Sequence, residues 1–567
     1  MFDTLPTTPE EFTDWPWETY QAYYEELAAR ELTPENVEQW MADWTAVTER
    51  AYESYSRLSL AKSQDTTDAE IETRFNKFLE TIFPPFMQAD QMLKVKLLQS
   101  ELVPAGAELP MRKMKAEAEL FREENIPLLT EEQKLGNEYD KIVGAQTIEW
   151  NGEEKTPAQM QPYQLEKDRT VREKAMRLVR ERQLADREAL NDLWQKLMNL
   201  RGQIAANAGF SNYRDYMWQG MKRFDYTPED CRTFHEAIEQ VVVPAAVRIY
   251  EKRRQRLGLD TLRPWDLQVP VTDAPPLKPY DKPEELEVVS DQIFHKVDPE
   301  LGARFRIMRD ESLLDLPNRK GKAPGAYCTA FPVQNRPFIF MNAVGLHDDV
   351  QTLLHETGHA FHVFETEALP YLQQQDVGME FAEVASMAME LLAAPYLARE
   401  EGGFYTTKDA ARARIEHLEN IVLFWPYMAV VDAFQHWVYE NHEAATDPAN
   451  CDRKWSELWE RFMKGVDWRG LDPVKETGWH RKLHIFQVPF YYVEYGLAQL
   501  GAVQIWRNAL DDQAEAVAAY RRGLALGGTV SLSELYATAG AKFAFDAETL
   551  GEAIDLIERT LESLEQA

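Results

Sequence analysis

Residues 348–362 read DDVQTLLHETGHAFH, and this stretch decides how the rest of the chain is read. Leu353, Leu354, Ala360 and Phe361 recur at helical spacing, so the segment is expected to be a helix with an apolar face. On a helix, residues four apart share a face. His355 and His359 therefore aim their imidazoles at one point, with Glu356 beside the first of them. Two nitrogens and an adjacent carboxylate in this pattern suit a metal ion and a base that takes a proton from water. The alternative is a helix with two surface histidines and a solvated glutamate. The apolar flanks argue against it, because burying three such groups without a partner is costly. Asp348 and Asp349 suit the start of the helix, where negative charge is favoured.

A metal centre that acts on water needs a third protein ligand and an open position. The longer pattern that continues to a third histidine is absent, since Glu365 stands at that position. The other arrangement takes a glutamate from a following helix. Residues 376–395, DVGMEFAEVASMAMELLAAP, supply such a helix, with Asp376 as its expected cap and Pro395 as its stop. Glu380, Glu383 and Glu390 are the candidates, and spacing alone does not choose among them. Small residues around them allow close packing against another helix.

Outward from this centre the chain reads as mainly α. It has 567 residues, too many for one ordinary core, so more than one packed region is expected. A helical region over residues 1–200, with a short hairpin near 147–156 at Asn151-Gly152, precedes a larger region over 201–567. One long helix is expected from Asp168 to Ala208, with Gly209 as its stop. The run RPWDLQVPVTDAPPLKPYDKP at 263–283 reads as an extended connection. Between Phe305 and Asn342, FRIM, GAYCTAF and RPFIFMN suit strands of a small antiparallel sheet next to the His-Glu-x-x-His helix.

The formal net charge of −33 repels phosphate backbones and anionic membranes, which argues against nucleic acid and membrane partners. The three cysteines, Cys231, Cys328 and Cys451, are far apart, so neither a disulfide framework nor a cysteine zinc cluster is expected. The acidic N-terminus does not read as a signal peptide, and no apolar run is long enough to span a membrane. A cytoplasmic location is the expectation.

The runs GAYCTAF, RPFIFMN, DVQTLLHETGHAFH and EFAEVASMAMELL closely resemble the oligoendopeptidase F and thimet-oligopeptidase family of zinc metallopeptidases, most of all its Pz-peptidase-like bacterial branch. WNGEEKT, AGFSNYRDY and HIFQVPFYYVEYGLAQLGA extend the likeness over most of the chain, while the first 140 residues are less distinctive. The resemblance implies a two-lobed helical ellipsoid with a deep substrate channel and one zinc ion per chain. It implies cleavage of internal bonds in short peptides, with Glu356 as the base. The family pattern of Glu, then Ser three residues on, then Glu seven residues on falls on Glu383, Ser386 and Glu390. This makes Glu383 the third ligand and Glu390 a carboxylate that steadies a ligand histidine, or else part of a buried salt bridge. A histidine and tyrosines that stabilise the transition state map onto His484, Tyr492 and Tyr495, with Tyr491 an alternative contact and His480 a weaker counterpart of His484. The extended run Phe338 to Asn342, including Phe340, is implied to pair with substrate as an added strand. The Gly321–Gly325 stretch is either a flap over the peptide or a simple loop. Collagen-like Gly-Pro peptides are one implied substrate class. A carboxypeptidase or dipeptidyl carboxypeptidase, a silent peptide-binding protein and a purely structural zinc site are the competing readings. Cobalt or manganese suits the same ligands.

Overall fold

Helix-forming residues dominate the chain, and a computed structural model describing residues 1–271 and 274–566 shows where each run begins and ends. Helices cover Pro9–Phe12, Trp17–Ala29, α1 (Val37–Gln64), Ala69–Thr81, Phe83–Ser100, Glu108–Leu120 and Asn125–Gly144. Pro84 and Pro85 sit in the first turn of their helix, where a missing N–H costs nothing. The hairpin forms as expected: β1 (Ile148–Trp150) pairs with β2 (Glu153–Lys155), and Asn151 and Gly152 both take positive φ. The expected helix over 168–208 is two helices, Arg169–Ala185 and Arg187–Asn207, divided at Asp186. Asp168 caps the first of them, and Gly209 follows with φ +87°. Among its described residues the proline-rich stretch forms a short turn at Pro264–Asp266 and ends where a helix begins at Pro283; Thr272 and Asp273 lie outside the described residues.

The sheet near the centre is mixed rather than antiparallel. β3 (Leu314–Pro317) runs parallel to β5 (Arg336–Ala343), and β4 (Tyr327–Phe331) pairs with β5 antiparallel, in the order β3-β5-β4. The segment between β3 and β4 carries the chain past the place beside β3, and the following hairpin inserts β5 there. FRIM is not a strand. It belongs to the helix Pro299–Asp310, which Asp298 caps and in which Leu301, Phe305 and Met308 form the buried stripe. The Asp-Pro start and this 4-3 spacing are helix signals that outweigh the local β-propensity.

The remaining helices that matter for the site are α2 (His347–Glu365), α3 (Met379–Ala393), α4 (Thr407–Glu440), α5 (Leu483–Gln487) and α6 (Tyr492–Asp511). α2 packs on β4 and β5 on one side and on α3 on the other, and α3 also packs along α6. Their shared apolar core includes Trp194, Trp425, Trp455 and Trp479, all fully buried, so packing runs continuously across residue 200. A second apolar cluster lies between Tyr20 and Met114 and takes in Tyr371. No described helix is long and apolar enough to cross a membrane.

One buried cation joins the early helices to α5. Arg201 has no exposure, pairs with Glu132 at 2.7 Å, and donates to the carbonyls of Ile485 and Phe486. Removing it strands a partly buried carboxylate and two carbonyls. Arg201→Met is expected to cost about 3 kcal/mol or more, read as a lowered thermal unfolding midpoint.

Candidate active site

Asp349 starts the central helix. Its carboxylate accepts the backbone N–H groups of Val344, Gly345 and Leu346 at 2.9, 2.7 and 2.8 Å, and the Tyr280 hydroxyl as well. This fixes the entry into α2 and the rotation of its faces. Asp376 does not cap α3, contrary to expectation. It is drawn to Lys222 at 3.0 Å and Lys113 at 3.5 Å, and the helix begins at Met379 after Gly378.

α2 and α3 meet at Gly358, between the two histidines. A Cβ there would stand 2.4 Å from the Ala385 carbonyl oxygen and 2.5 Å from Ser386 Cα. Only glycine permits this approach. The result is that ligand atoms of His355, His359 and Glu383 all lie within 4.8 Å of one another. His355 Nε2 and His359 Nε2 are 3.4 and 3.7 Å from Glu383 Oε2. Ser386 Oγ donates to the same Oε2 at 3.0 Å, which orients the carboxylate. Among the three glutamates left open by spacing, Glu380 is engaged elsewhere: Tyr226 donates to it at 2.7 Å.

Glu390 bonds His355 Nδ1 at 2.7 Å through one oxygen and reaches His417 Nε2 at 2.9 Å with the other. His355 Nδ1 is thereby tied to a carboxylate while Nε2 faces Glu383, the arrangement that steadies an imidazole in metal sites. His417, from α4, has no local sequence signal and was not anticipated; neither was the role of Gly358, although it stands inside the motif. Burial opposes charge on His355, but bonds to Glu383 and Glu390 overcome it and raise its pKa to about 10. A part-buried point with such a pull toward positive charge, ringed by two imidazoles and a carboxylate, fits a divalent transition metal.

Glu356 is 8% exposed, and burial raises its carboxyl to about 7. It stands beside the backbone of Cys328 on β4. Ile339 N donates to Leu313 on the β3 side, so its partner Cys328 turns its own N–H and C=O away from β5. By alternation Ala330 does the same. β4 therefore offers an open edge beside Glu356. β5 does not: it has neighbours on both sides, and Phe338 and Phe340 are buried. Asn342 donates to the carbonyls of Ala323 and Gly325. An added strand expected at Phe338, Phe340 and Asn342 has no free ladder groups to pair with, because β5 is the central strand and β4 is the edge. The Gly321–Gly325 loop is tied to the end of α1, with Thr66 N donating to Gly321 O at 2.7 Å and Ala323 N to Ser63 O at 2.8 Å.

The tyrosine cluster is arranged differently from expectation. Tyr491, just before α6, points its hydroxyl at Glu383 Oε1, 3.5 Å away. The Tyr492 hydroxyl instead accepts from Lys482 at 2.8 Å, with its ring against Phe424 and Tyr427. Tyr495 packs edge-on to Tyr491, 5.1 Å between centroids. Two tyrosines one residue apart at a helix start project to different sides, so Tyr491 and Tyr495, not Tyr492, share the ligand side. His484 lies among these rings, 6.0 Å from Tyr491, and burial followed by the Lys482 charge lowers its pKa to about 4. Burial and then Glu383 raise Tyr491 far above the ordinary phenol value, so its hydroxyl stays a donor. His480 is removed from this group. It is bonded to Asn191 at 3.0 Å and packs at a tilt against Trp479, 4.1 Å between ring centroids.

Two substitutions test this geometry. Gly358→Ala is expected to force α2 and α3 apart and weaken metal retention about 100-fold or more, and Glu390→Gln to weaken it about 10- to 100-fold. Both are read by competition with a chelating indicator, with circular dichroism confirming retained helix.

Comparisons with known proteins agree with this picture. Residues 163–553 match the model of Peptidase family M3. The Group B oligopeptidase PepB of Streptococcus agalactiae is 29% identical over 163 residues, 28% of this chain and 26% of that protein. An oligoendopeptidase F homolog of Borreliella burgdorferi is 23% identical over 369 residues, 62% of this chain and 60% of that protein. The matched part thus spans less than two thirds of either relative. A solved structure of Pz peptidase A with an inhibitor superposes with a TM-score of 0.86 at 27% identity, covering 99% of both chains. With the family match extending over more than half of its length, the chain belongs to Peptidase family M3.

Proposed function

We propose that the protein is a zinc metallo-endopeptidase that hydrolyses internal bonds of short peptides. The observation that carries the reading is the convergence of His355, His359 and Glu383 within 4.8 Å, with Glu356 on the adjoining turn beside the open edge of β4. His355, His359 and Glu383 hold the ion, one per chain at this centre, and zinc there supplies a Lewis acid that lowers the pKa of water and polarises a carbonyl.

The chain's own groups do the rest. An extended peptide lies along β4 and pairs with the outward backbone groups at Cys328 and Ala330. Glu356, raised in pKa by burial, takes the proton from the attacking water and returns it to the leaving amine. Tyr491 donates a hydrogen bond to the carbonyl oxygen as negative charge develops there, supported by Tyr495 and by neutral His484. Glu390 and His417 keep His355 in register throughout. Cleavage of collagen-like Gly-Pro peptides is part of the proposal on the likeness to Pz peptidase A, and a cytoplasmic site of action accompanies it.

A peptidase that removes C-terminal residues must hold a free carboxylate. The cations lining the cavity of about 270 Å³ next to Tyr491 are Lys113 and Lys222, and both are paired with Asp376. Lys482, bonded to the Tyr492 hydroxyl beside His484, has no carboxylate partner among the described residues, so C-terminal amidation separates internal cleavage from the carboxypeptidase readings. Peptides amidated at the C-terminus should then be cut as fast as the free acids.

Digestion of a peptide mixture followed by mass spectrometry is the direct test. Internal cuts are expected with wild type and none after chelation. Glu356→Gln should lose about 10³-fold or more in rate while retaining metal. Tyr491→Phe should lower kcat about 10²-fold or more, whereas Tyr492→Phe should change it by less than about 10-fold. Metal-loaded wild type that cuts no peptide would overturn the reading.

A further inference from the structure

A second convergence of metal-binding side chains lies far from the first. Cys231 and His235 are four residues apart on the helix Pro228–Ala237, and Asp432 and His436 are four apart on α4. Both pairs therefore face one another from single helix faces. All four residues are buried, with exposures of 0, 3, 0 and 3%. Cys231 Sγ, an Asp432 oxygen and a ring nitrogen of His436 lie within 4.8 Å of one another, the same closeness as in the His355–His359–Glu383 set. Along α4, Asp432 is fifteen residues beyond His417, about 22 Å at 1.5 Å per residue, so the two places are distinct.

The polar groups here are not satisfied by the protein. Asp432 Oδ1 and both ring nitrogens of His436 make no hydrogen bond among the described residues. Asp432 Oδ2 has one firm partner, His235 Nε2 at 2.8 Å, and His436 Nε2 stands 3.4 Å from it. Carboxylate and imidazole atoms that are buried without a protein partner are costly, and native proteins seldom leave them so. Trp218 and Phe490 wall the site, with centroids 5.7 and 5.3 Å from the His436 ring.

We infer that Cys231, Asp432 and His436 bind a second zinc ion, with His235 orienting Asp432 from behind. Thiolate, carboxylate and neutral imidazole are a donor set suited to zinc. One dication balances the two anionic ligands, so the buried group is neutral as a whole. Binding releases the thiol proton to solvent and breaks no other covalent bond. A cleft of about 240 Å³ lined by His235 and His436 opens toward Arg232 and Glu440 on one side of the group. The role is positional. The ion ties the helix Pro228–Ala237 to α4 next to Gln435, whose Oε1 accepts from Phe490 N at 2.7 Å. Phe490 holds a left-handed backbone, φ +69°, immediately before Tyr491.

The test uses the full chain. After equilibration with zinc and removal of excess, wild type should contain about two zinc ions per chain, and Cys231→Ser and His359→Ala about one each. Cobalt(II) in place of zinc gives an independent reading, because only a thiolate ligand produces a sulfur-to-cobalt charge-transfer band. The band should persist in His359→Ala, Cys328→Ser and Cys451→Ser and vanish in Cys231→Ser and Asp432→Asn. Loss of one zinc in Cys231→Ser with peptide cleavage absent in wild type would uphold this site while removing the proposed function. Wild type with about one zinc, no thiolate band and unchanged content in Cys231→Ser would overturn the inference and leave a hydrogen-bonded His235–Asp432 pair.

Discussion

The approach of α2 to α3 at Gly358 is the constraint on which the convergence of His355, His359 and Glu383 depends. The backbone of one helix lies directly against the backbone of the other at Ala385 and Ser386. Closeness at that point sets the distance from His355 and His359 to Glu383, because all three are within four residues of the contact. The α3 side is held from behind as well. Tyr520 donates to the Ala385 carbonyl at 2.8 Å, the same oxygen that a Cβ on residue 358 would strike. Ser386 serves twice, as the surface that Gly358 meets and as the donor that aims Glu383.

Around this contact, charge is buried in a graded way. Two carboxylates, Glu383 and Glu390, flank His355, and His417 takes the remaining oxygen of Glu390. Isolated carboxylates at this depth would protonate; shared among histidines, both are instead held below their ordinary range despite burial. Glu356 has no bond to an imidazole, and burial outweighs the nearby His355 charge and carries it the other way, upward. Glu383 and Glu390 thus differ in proton affinity from Glu356, because the pair is bonded to imidazoles and the single acid is not; the proposed roles of ligand and base rest on this separation.

The segment that carries His484 and the tyrosines is irregular, and buried cations hold it. Arg201 binds the carbonyls of Ile485 and Phe486, and Arg223 binds the Phe490 carbonyl and Glu494. Tyr139 donates to the His480 carbonyl at 3.0 Å. These contacts join residues some 270 to 340 positions apart in the chain. They supply the hydrogen bonds that a non-helical backbone cannot make for itself in the interior.

The sequence by itself determined the local chemistry. Helical spacing put His355 and His359 on one face with Glu356 beside them, Asn151-Gly152 specified its tight turn, and the helical runs were legible from composition and period. Each of these depends on residues within a few turns of one another, where backbone geometry is fixed by φ/ψ preference alone. Choosing Glu383 over Glu380 and Glu390 needed either the family likeness or the fold. Only the tertiary structure decided that Glu390 is shared with His417, that Tyr491 rather than Tyr492 turns to Glu383, and that β4 rather than β5 has the open edge. It alone brought Cys231 and His235 against Asp432 and His436, two hundred residues away. The reason is common to all four: each depends on which faces of distant elements meet, and that is set by packing of the whole core, to which no single segment holds the information.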